Sequence, residues 1–418
     1  MPSSALAVFE QLPSPGNLLS VPPLEESLQI NAHIHLPPNF SAFDSVAQAV
    51  ELARSQGIHV LGASNYYDYA VYAPFAQAAR ESGIFPLFGI EIITMDNTLR
   101  DAGTLTNDPG NPGKMYICGK GIMRFDPLTP EAARLLNEIR GRDSERMAQM
   151  TTRLAAVFAE AGLDTGLSAD AVKARVVARH GSPLETVYLQ ERHVAQAFQE
   201  IIFERVAEGE RAALLARAFG VAPKSAPDNA NALQNEIRSA LMKAGKPAFV
   251  PETFVDDAHA FALILALGGI PCYPTLADGT SPVCGFETPV GDWVARLHER
   301  DFHCAEFIPL RNTPEVLAQY VRAARNAGIV VTAGTEHNTR DLLPIAPACV
   351  NGAPILPETA TIFEEGACVV AAHQYLTARG EPGFVDENNV PHEGFDTAEE
   401  RIAYFARLGK AVIAAYRA

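Results

Sequence analysis

The chain has 418 residues, with 33 Lys and Arg against 49 Asp and Glu, for a formal net charge of −16. That balance argues against a nucleic-acid or anionic-membrane surface, which needs a basic face, so neither partner is expected. A hydrophobic content of 48% excludes a disordered chain and is enough for a large core; the length admits two or three domains, or one α/β barrel with an insertion.

Met1 to Glu26 is rich in Pro and Ser and lacks a basic stretch followed by an apolar run, so it is not read as a signal peptide. The longest apolar stretch, Ala258 to Ile270, contains His259 and is too short to span a bilayer. The six cysteines are widely spaced with no CxxC, which suits reduced thiols in a cytoplasmic protein.

Residues 28–35 read as a strand. Phe43 to Gln56 reads as a helix closed by Gly57, and Ile58 to Ala63 as the next strand. Pro74 to Glu81 is a short helix stopped by Gly83, and Phe85 to Ile93 is again a strand. Strand–helix–strand units of this length imply right-handed parallel crossovers. Thr129-Pro-Glu then opens a long Ala/Arg/Glu-rich stretch to Gly162. Further helices are expected from Ser168 to His180, from about Glu185 to Phe219, and from Asn229 to Lys243. Alternation resumes after Pro251, with helices at Val255–Leu267, Val290–Arg300 and Pro314–Ala327. Each leads to a strand, at Ile270, Cys304 and Ile329 respectively. The tail, Glu358–Leu376 and Ala398–Tyr416, reads as helical. The division is therefore an N-terminal extension (1–27), a discontinuous barrel with C-terminal helices (28–100 and 251–418), and a mostly helical insertion (101–250) that can act as a lid. A doubly wound open sheet is the alternative.

Functional side chains of a β/α barrel sit at the C-terminal ends of its strands. Those ends carry His33 and His35, Ser64-Asn65, Glu91, Cys272-Tyr273, Glu306 and Glu336-His337. Residues i and i+2 of a strand point the same way, so the two imidazoles of His33-Ile34-His35 can converge on one cation. Glu91 lies in so apolar a strand that its carboxylate calls for a partner or a metal. Glu336 and His337 are adjacent, so only one faces the site unless the chain already turns there; His337 is slightly favoured as ligand or acid/base group. Asn65, Tyr273 and Glu306 are candidates for contacting substrate. Lys120, between two glycines, is suited to a phosphate, with Lys114 as a weaker candidate. Glu191-Arg192-His193 is placed mid-helix, where Arg192, with His193 beside it, can clamp a carboxylate or phosphate. His373, in an apolar helical run, reads as a satisfied core histidine.

The HxH strand, the Gly-Ile-Glu strand end, Gly-Gly-Ile-Pro and the late Gly-Thr-Glu-His resemble, in that order, the polymerase and histidinol phosphatase (PHP) domain superfamily. The resemblance covers roughly residues 28–100 and 255–345. It implies a distorted (β/α)7, TIM-like barrel and a metal-dependent phosphoesterase using up to three zinc, manganese or iron ions. The sequence departs from the family at Ser64-Asn65-Tyr66, in place of Thr-Asp-His, and at Cys272-Tyr273-Pro274, in place of Ala-His-Pro. It departs again at Gly334-Thr335-Glu336-His337, in place of Gly-Ser-Asp-x-His. At least two ligands of a multinuclear cluster are missing. His33, His35, Glu91 and one of Glu336 or His337 still suffice for a single four-ligand site.

The expectation is a hydrolase of a small anionic metabolite with a reduced, mononuclear site for a divalent metal (Zn, Mn or Fe). Glu91, Glu336 or His337 would serve as the catalytic group. Two alternatives stay open: a degenerate barrel that binds without turnover, and a metal-dependent sugar isomerase or lyase. The insertion is equally compatible with a dimer contact, so a homo-oligomer is admitted.

Overall fold

In the computed structural model, residues 6–22 and 26–418 are described; parts of the N-terminal extension, 1–5 and 23–25, lie outside the described residues. Seven strands form one sheet in sequence order: β1 (Ile30–Ile34), β2 (Val60–Asn65), β3 (Phe85–Met95), β4 (Lys114–Lys120), β5 (Ile270–Thr275), β6 (Cys304–Phe307) and β7 (Val330–Ala333). Neighbours pair in parallel except around β4, which runs antiparallel to both β3 and β5. Strands β1, β2, β6 and β7 are buried at every residue, as near-continuous apolar runs require when helices cover the outer face.

The sheet curls until its ends meet. Ile34 and Glu336 form a parallel bridge, the Thr335 amide donates to His33 O at 3.0 Å, and the His35 amide donates to Glu336 O at 2.8 Å. Gly334 permits this seam, because a Cβ there would lie 2.3 Å from the His33 Cβ. A nearly closed, distorted barrel results, and the open doubly wound alternative is set aside. The His-x-His strand and the Gly-Thr-Glu-His segment thereby become neighbours.

Helices start where the sequence offers side-chain caps. Ser45, Thr129 and Ser168 accept from backbone amides three residues on, and Thr397 forms a capping box with Glu400. The stretch expected as one helix over 185–219 is divided. Leu184–Thr186 is a single 3-10 turn, and the chain extends at Val206 and Ala207 between helices Glu191–Arg205 and Glu208–Phe219. Glu208 and Glu210 then sit in the first turn of the new helix, where the dipole favours carboxylates. Strand β4 falls within the span assigned to the insertion. From Pro130 to Ile237 the regular structure is helical, and it builds a second apolar cluster around Phe158, Phe198 and Leu215. The 31-residue helix Pro130–Glu160 serves both cores: Ala132, Leu135, Leu136 and Ile139 pack on the barrel, and Met147, Met150, Leu154 and Phe158 pack in the insertion. Among the described residues no helix is long and apolar enough to cross a membrane.

Helices Pro357–Ala378 and Ala398–Arg417 close the barrel's outer face. They touch backbone to backbone: a Cβ on Gly409 would fall 1.7 Å from Cys368 O. Gly409→Ala therefore has no relaxed position to take. It should cost at least about 3 kcal/mol, measured by denaturant unfolding.

His373 is the satisfied core histidine the sequence suggests. Its Nδ1 accepts the Phe384 amide at 2.9 Å and its Nε2 donates to Gly268 O at 2.9 Å. Burial pushes its pKa down from 6.5 to about 4, with the Gly268 hydrogen bond opposing. The folded value lies below the unfolded one. The neutral ring's contribution is therefore complete above pH 6.5 and is lost as pH falls towards 4, amounting to about 3 kcal/mol. Stability measured across that window should fall on acidification. His373→Gln should flatten the slope by up to one proton, about 1.4 kcal/mol per pH unit.

Candidate metal centre and cavity

β1 projects His33 into the barrel, and His35 follows just past its end. Glu91 enters from β3. Its Oε2 lies 3.3 Å from His33 Nε2 and 3.2 Å from His35 Nε2. These contacts lack hydrogen-bond geometry, so His33 Nε2, both ring nitrogens of His35 and Glu91 Oε2 are buried without a hydrogen-bond partner among the described residues. One such orphan ordinarily costs about 1–3 kcal/mol; His33 Nε2, His35 Nε2 and Glu91 Oε2, three donors facing one another, are suited to a cation. Imidazole nitrogen and carboxylate oxygen are the donors a divalent transition metal takes, so the residues present fit one.

The other atoms of these groups are held from behind. Tyr66 Oη donates to Glu91 Oε1 at 2.7 Å and its ring stacks on His35, with centroids 5.2 Å apart and an interplanar angle of 7°. Glu306, from β6, meets His33 Nδ1 at 2.6 Å, and Lys120, from β4, meets the other Glu306 oxygen at 2.5 Å. A carboxylate on Nδ1 selects the tautomer whose Nε2 carries the lone pair, the arrangement that orients metal-binding histidines. Burial works against every charge here. The charge of Glu306 nevertheless raises the His33 pKa, and Lys120 and His33 hold Glu306 low. Glu91 is likewise held well below the carboxylate range, because His33 and His35 outweigh its burial.

A sequence reading misses Cys118. It pairs directly with Glu91 in the antiparallel β3–β4 ladder, and His33, Glu91 and Cys118 offer donor atoms all within 4.8 Å of one another. Alternating apolar residues in Met115-Tyr-Ile-Cys were the available signal for that strand.

His33 and Glu91 open into a cavity of about 390 Å³ between the barrel and the insertion. Its wall carries six cations, Lys114, Arg146, Arg192, Arg238, Lys243 and Arg311, against five carboxylates, Glu91, Asp108, Asp143, Glu191 and Glu336. Glu191 faces three of them: Arg146 at 2.8 Å, Lys243 at 2.7 Å and Arg238 at 3.6 Å. Arg192 has no carboxylate partner among the described residues; it reaches only Asn235 Oδ1 at 3.4 Å, and burial and the neighbouring Arg238 push its pKa down to about 10. Lys114 pairs with Asp108 at 3.1 Å and Glu252 at 3.4 Å.

The remaining candidates take other positions. Lys120 is not in a surface loop but buried against Glu306, away from the cavity wall. Glu306 lies behind His33 and is fully buried. The Asn65 side chain exchanges two 2.9 Å hydrogen bonds with the Leu36 backbone, pinning the chain that follows His35. Tyr273 faces the outer layer, since alternation turns it away from Cys272; it donates to Glu287 at 3.0 Å and packs on Phe286 and Phe302. His193 is in the first turn of its helix rather than its middle, and its Nδ1 accepts the Gln190 amide at 3.1 Å. Glu336 and His337 both have left-handed backbone, φ 57° and 52°, so the chain does turn there. Glu336 lines the cavity, paired with Arg311 at 2.5 Å and Asn338 at 2.7 Å. His337 engages both ring nitrogens, with Thr335 Oγ1 at 2.7 Å and Leu343 O at 3.0 Å, and stacks on Phe43. It offers no free donor atom.

No family model and no curated protein matches the chain. Among the solved structures that share its fold, two align over about four fifths of this chain. One is an amidohydrolase from Chromobacterium violaceum with bound sulfate and no metal (TM-score 0.50, 17% identity, covering 80% of this chain and 96% of that one). The other is a protein from Bifidobacterium adolescentis assigned as a metal-dependent phosphoesterase (TM-score 0.52, 17% identity, covering 81% and 96%).

Glu306→Gln removes the carboxylate that compensates Lys120 and orients His33. It should destabilise the fold by about 3–5 kcal/mol in denaturant unfolding, the cost of stranding a buried charge. Metal affinity measured by competition titration should fall about 10–100-fold.

Proposed function

We propose that the protein is a metal-dependent hydrolase of a small anionic ester, most simply a phosphoester, and a divergent member of the PHP superfamily. The observation that carries this reading is the set of three facing orphaned donors, His33 Nε2, His35 Nε2 and Glu91 Oε2, with His33 and Glu91 at the wall of a cavity that also holds Arg192, which has no carboxylate partner among the described residues. One fold relative carries a metal-dependent phosphoesterase assignment and the other an amidohydrolase assignment, which supports hydrolysis in the coarser sense. His33, His35 and Glu91 would hold the ion. A bound divalent metal polarises the scissile group and lowers the pKa of a coordinated water.

The chain's own residues supply the rest. Glu306 and Lys120 keep His33 in its ligand tautomer. Tyr66 occupies Glu91 Oε1 and leaves Oε2 for the ion. Glu336, steadied by Arg311 and Asn338, is the cavity carboxylate placed to orient a water or accept its proton. Arg192, lacking an internal counter-ion, supplies the charge that receives the anionic group, with Arg238 and Lys243 beside it. The insertion provides these cations and encloses the cavity, which is the role of a lid.

The test is a screen of phosphate release from sugar phosphates, nucleotides and p-nitrophenyl phosphate by the zinc- or manganese-loaded protein. Activity should fall at least about 100-fold in His33→Ala, and Arg192→Ala should raise KM more than it lowers kcat. If metal-loaded protein leaves every phosphoester intact, the phosphoesterase reading is discarded.

A further inference from the structure

The structure assigns to Cys118 a role beyond filling the barrel interior: we infer that its thiolate is a metal ligand, which makes the centre a mixed imidazole–carboxylate–thiolate site selective for zinc over manganese. The inference rests on the metal reading above and deepens it.

A buried cysteine is ordinarily an inert small hydrophobe. Three observations set this one apart. Cys118 is fully buried and lies opposite Glu91 in the β3–β4 ladder, so cross-strand register places the two side chains on one face of the sheet. Its sulfur belongs with His33 and Glu91 to a set of donor atoms lying within 4.8 Å of one another. The groups it joins are the orphaned ones: His33 Nε2 and Glu91 Oε2 are buried and without hydrogen-bond partners. His35 stands outside this tight set, although its Nε2 reaches the same Glu91 oxygen at 3.2 Å.

Bonded zinc sets, with Zn–S about 2.3 Å and Zn–N about 2.0–2.1 Å, have S···N edges of about 3.6 Å. The 4.8 Å bound on the observed set exceeds that edge by about 1.2 Å, so the donors would draw in by up to that amount on binding. On binding, the S–H bond breaks, the S–metal bond forms from the same electron pair, and the proton leaves to the buffer; no oxidant or reductant is needed. A thiolate among the ligands has a direct chemical consequence. Soft sulfur favours zinc, and cobalt as its spectroscopic stand-in, over manganese and magnesium, which prefer oxygen.

The experiment uses the full chain, reduced and freed of metal by chelation, titrated with cobalt(II) alone. The expected result is visible d–d absorption accompanied by an intense near-ultraviolet thiolate-to-cobalt charge-transfer band. That band should be abolished in Cys118→Ser and retained in Cys272→Ser, the neighbouring buried thiol on β5. Zinc should displace the cobalt while manganese does not, and Cys118→Ser should weaken zinc binding at least about 10-fold. Cobalt that binds with d–d bands but no charge-transfer band in the wild-type protein overturns the thiolate ligand and leaves the metal reading intact. A charge-transfer band that survives in Cys118→Ser also overturns it. Should no cobalt bind at all, both readings fall together. Should Cys118→Ser not fold, Cys118→Ala carries the same comparison, and absence of the band in the wild type overturns the thiolate ligand by itself.

Discussion

Inside the barrel, a single carboxylate sits between an ammonium and an imidazole. Glu306 is fully buried, and its two oxygens are taken by Lys120 and His33. None of the three charges could stand alone there; desolvation would neutralise each in isolation. Together they form a chain in which Lys120 keeps Glu306 ionised and Glu306 fixes which nitrogen of His33 carries a proton. Lys120 stands at the end of the reversed strand β4, opposite Ile270, whereas Glu306 stands opposite Pro274, so the long lysine side chain spans the offset to reach the carboxylate.

Much of the barrel was legible because Gly, Pro and capping residues punctuate each strand–helix unit. Phe85–Met95 and Pro314–Asn326 fall within a residue or two of where pattern places them. Strand β4 was not legible as a strand, nor its direction. It ends in Gly119-Lys120, follows a turn-rich loop, and gains its orientation only from pairing with β3 and with β5, some 150 residues later in the chain. The same limit explains the site. His33 and Glu91 follow from strand periodicity and from the cost of a carboxylate among apolar neighbours. Cys118 depends on cross-strand register, which no local pattern states. Lys120 reads as a loop lysine because its partner Glu306 is 186 positions away. His337 reads as a ligand because left-handed backbone at Glu336 and His337 cannot be seen in two non-glycine residues.

The cavity wall is closer to balance than the chain as a whole. A chain with formal charge −16 sets six cations against five carboxylates there, three of the cations sharing Glu191. Those cations come largely from the insertion, whose helices otherwise pack on their own apolar cluster. In the proposed reading the barrel would contribute the ion-binding donors and the insertion most of the cations that receive the anion.

The helix Pro130–Glu160 belongs to both apolar clusters without a break. An unbroken rod of 31 residues is about 47 Å long and is stiff against bending over that distance. The insertion therefore cannot swing as a flap on a loose tether at that end, because tilting it would unseat Leu135 and Leu136 from the barrel wall. The other connection, the π-helical turn Arg238–Met242 and the turns that follow it to Pro251, has no such spar, and it carries two of the cavity's cations, Arg238 and Lys243. Any loosening of that return would displace both charges together.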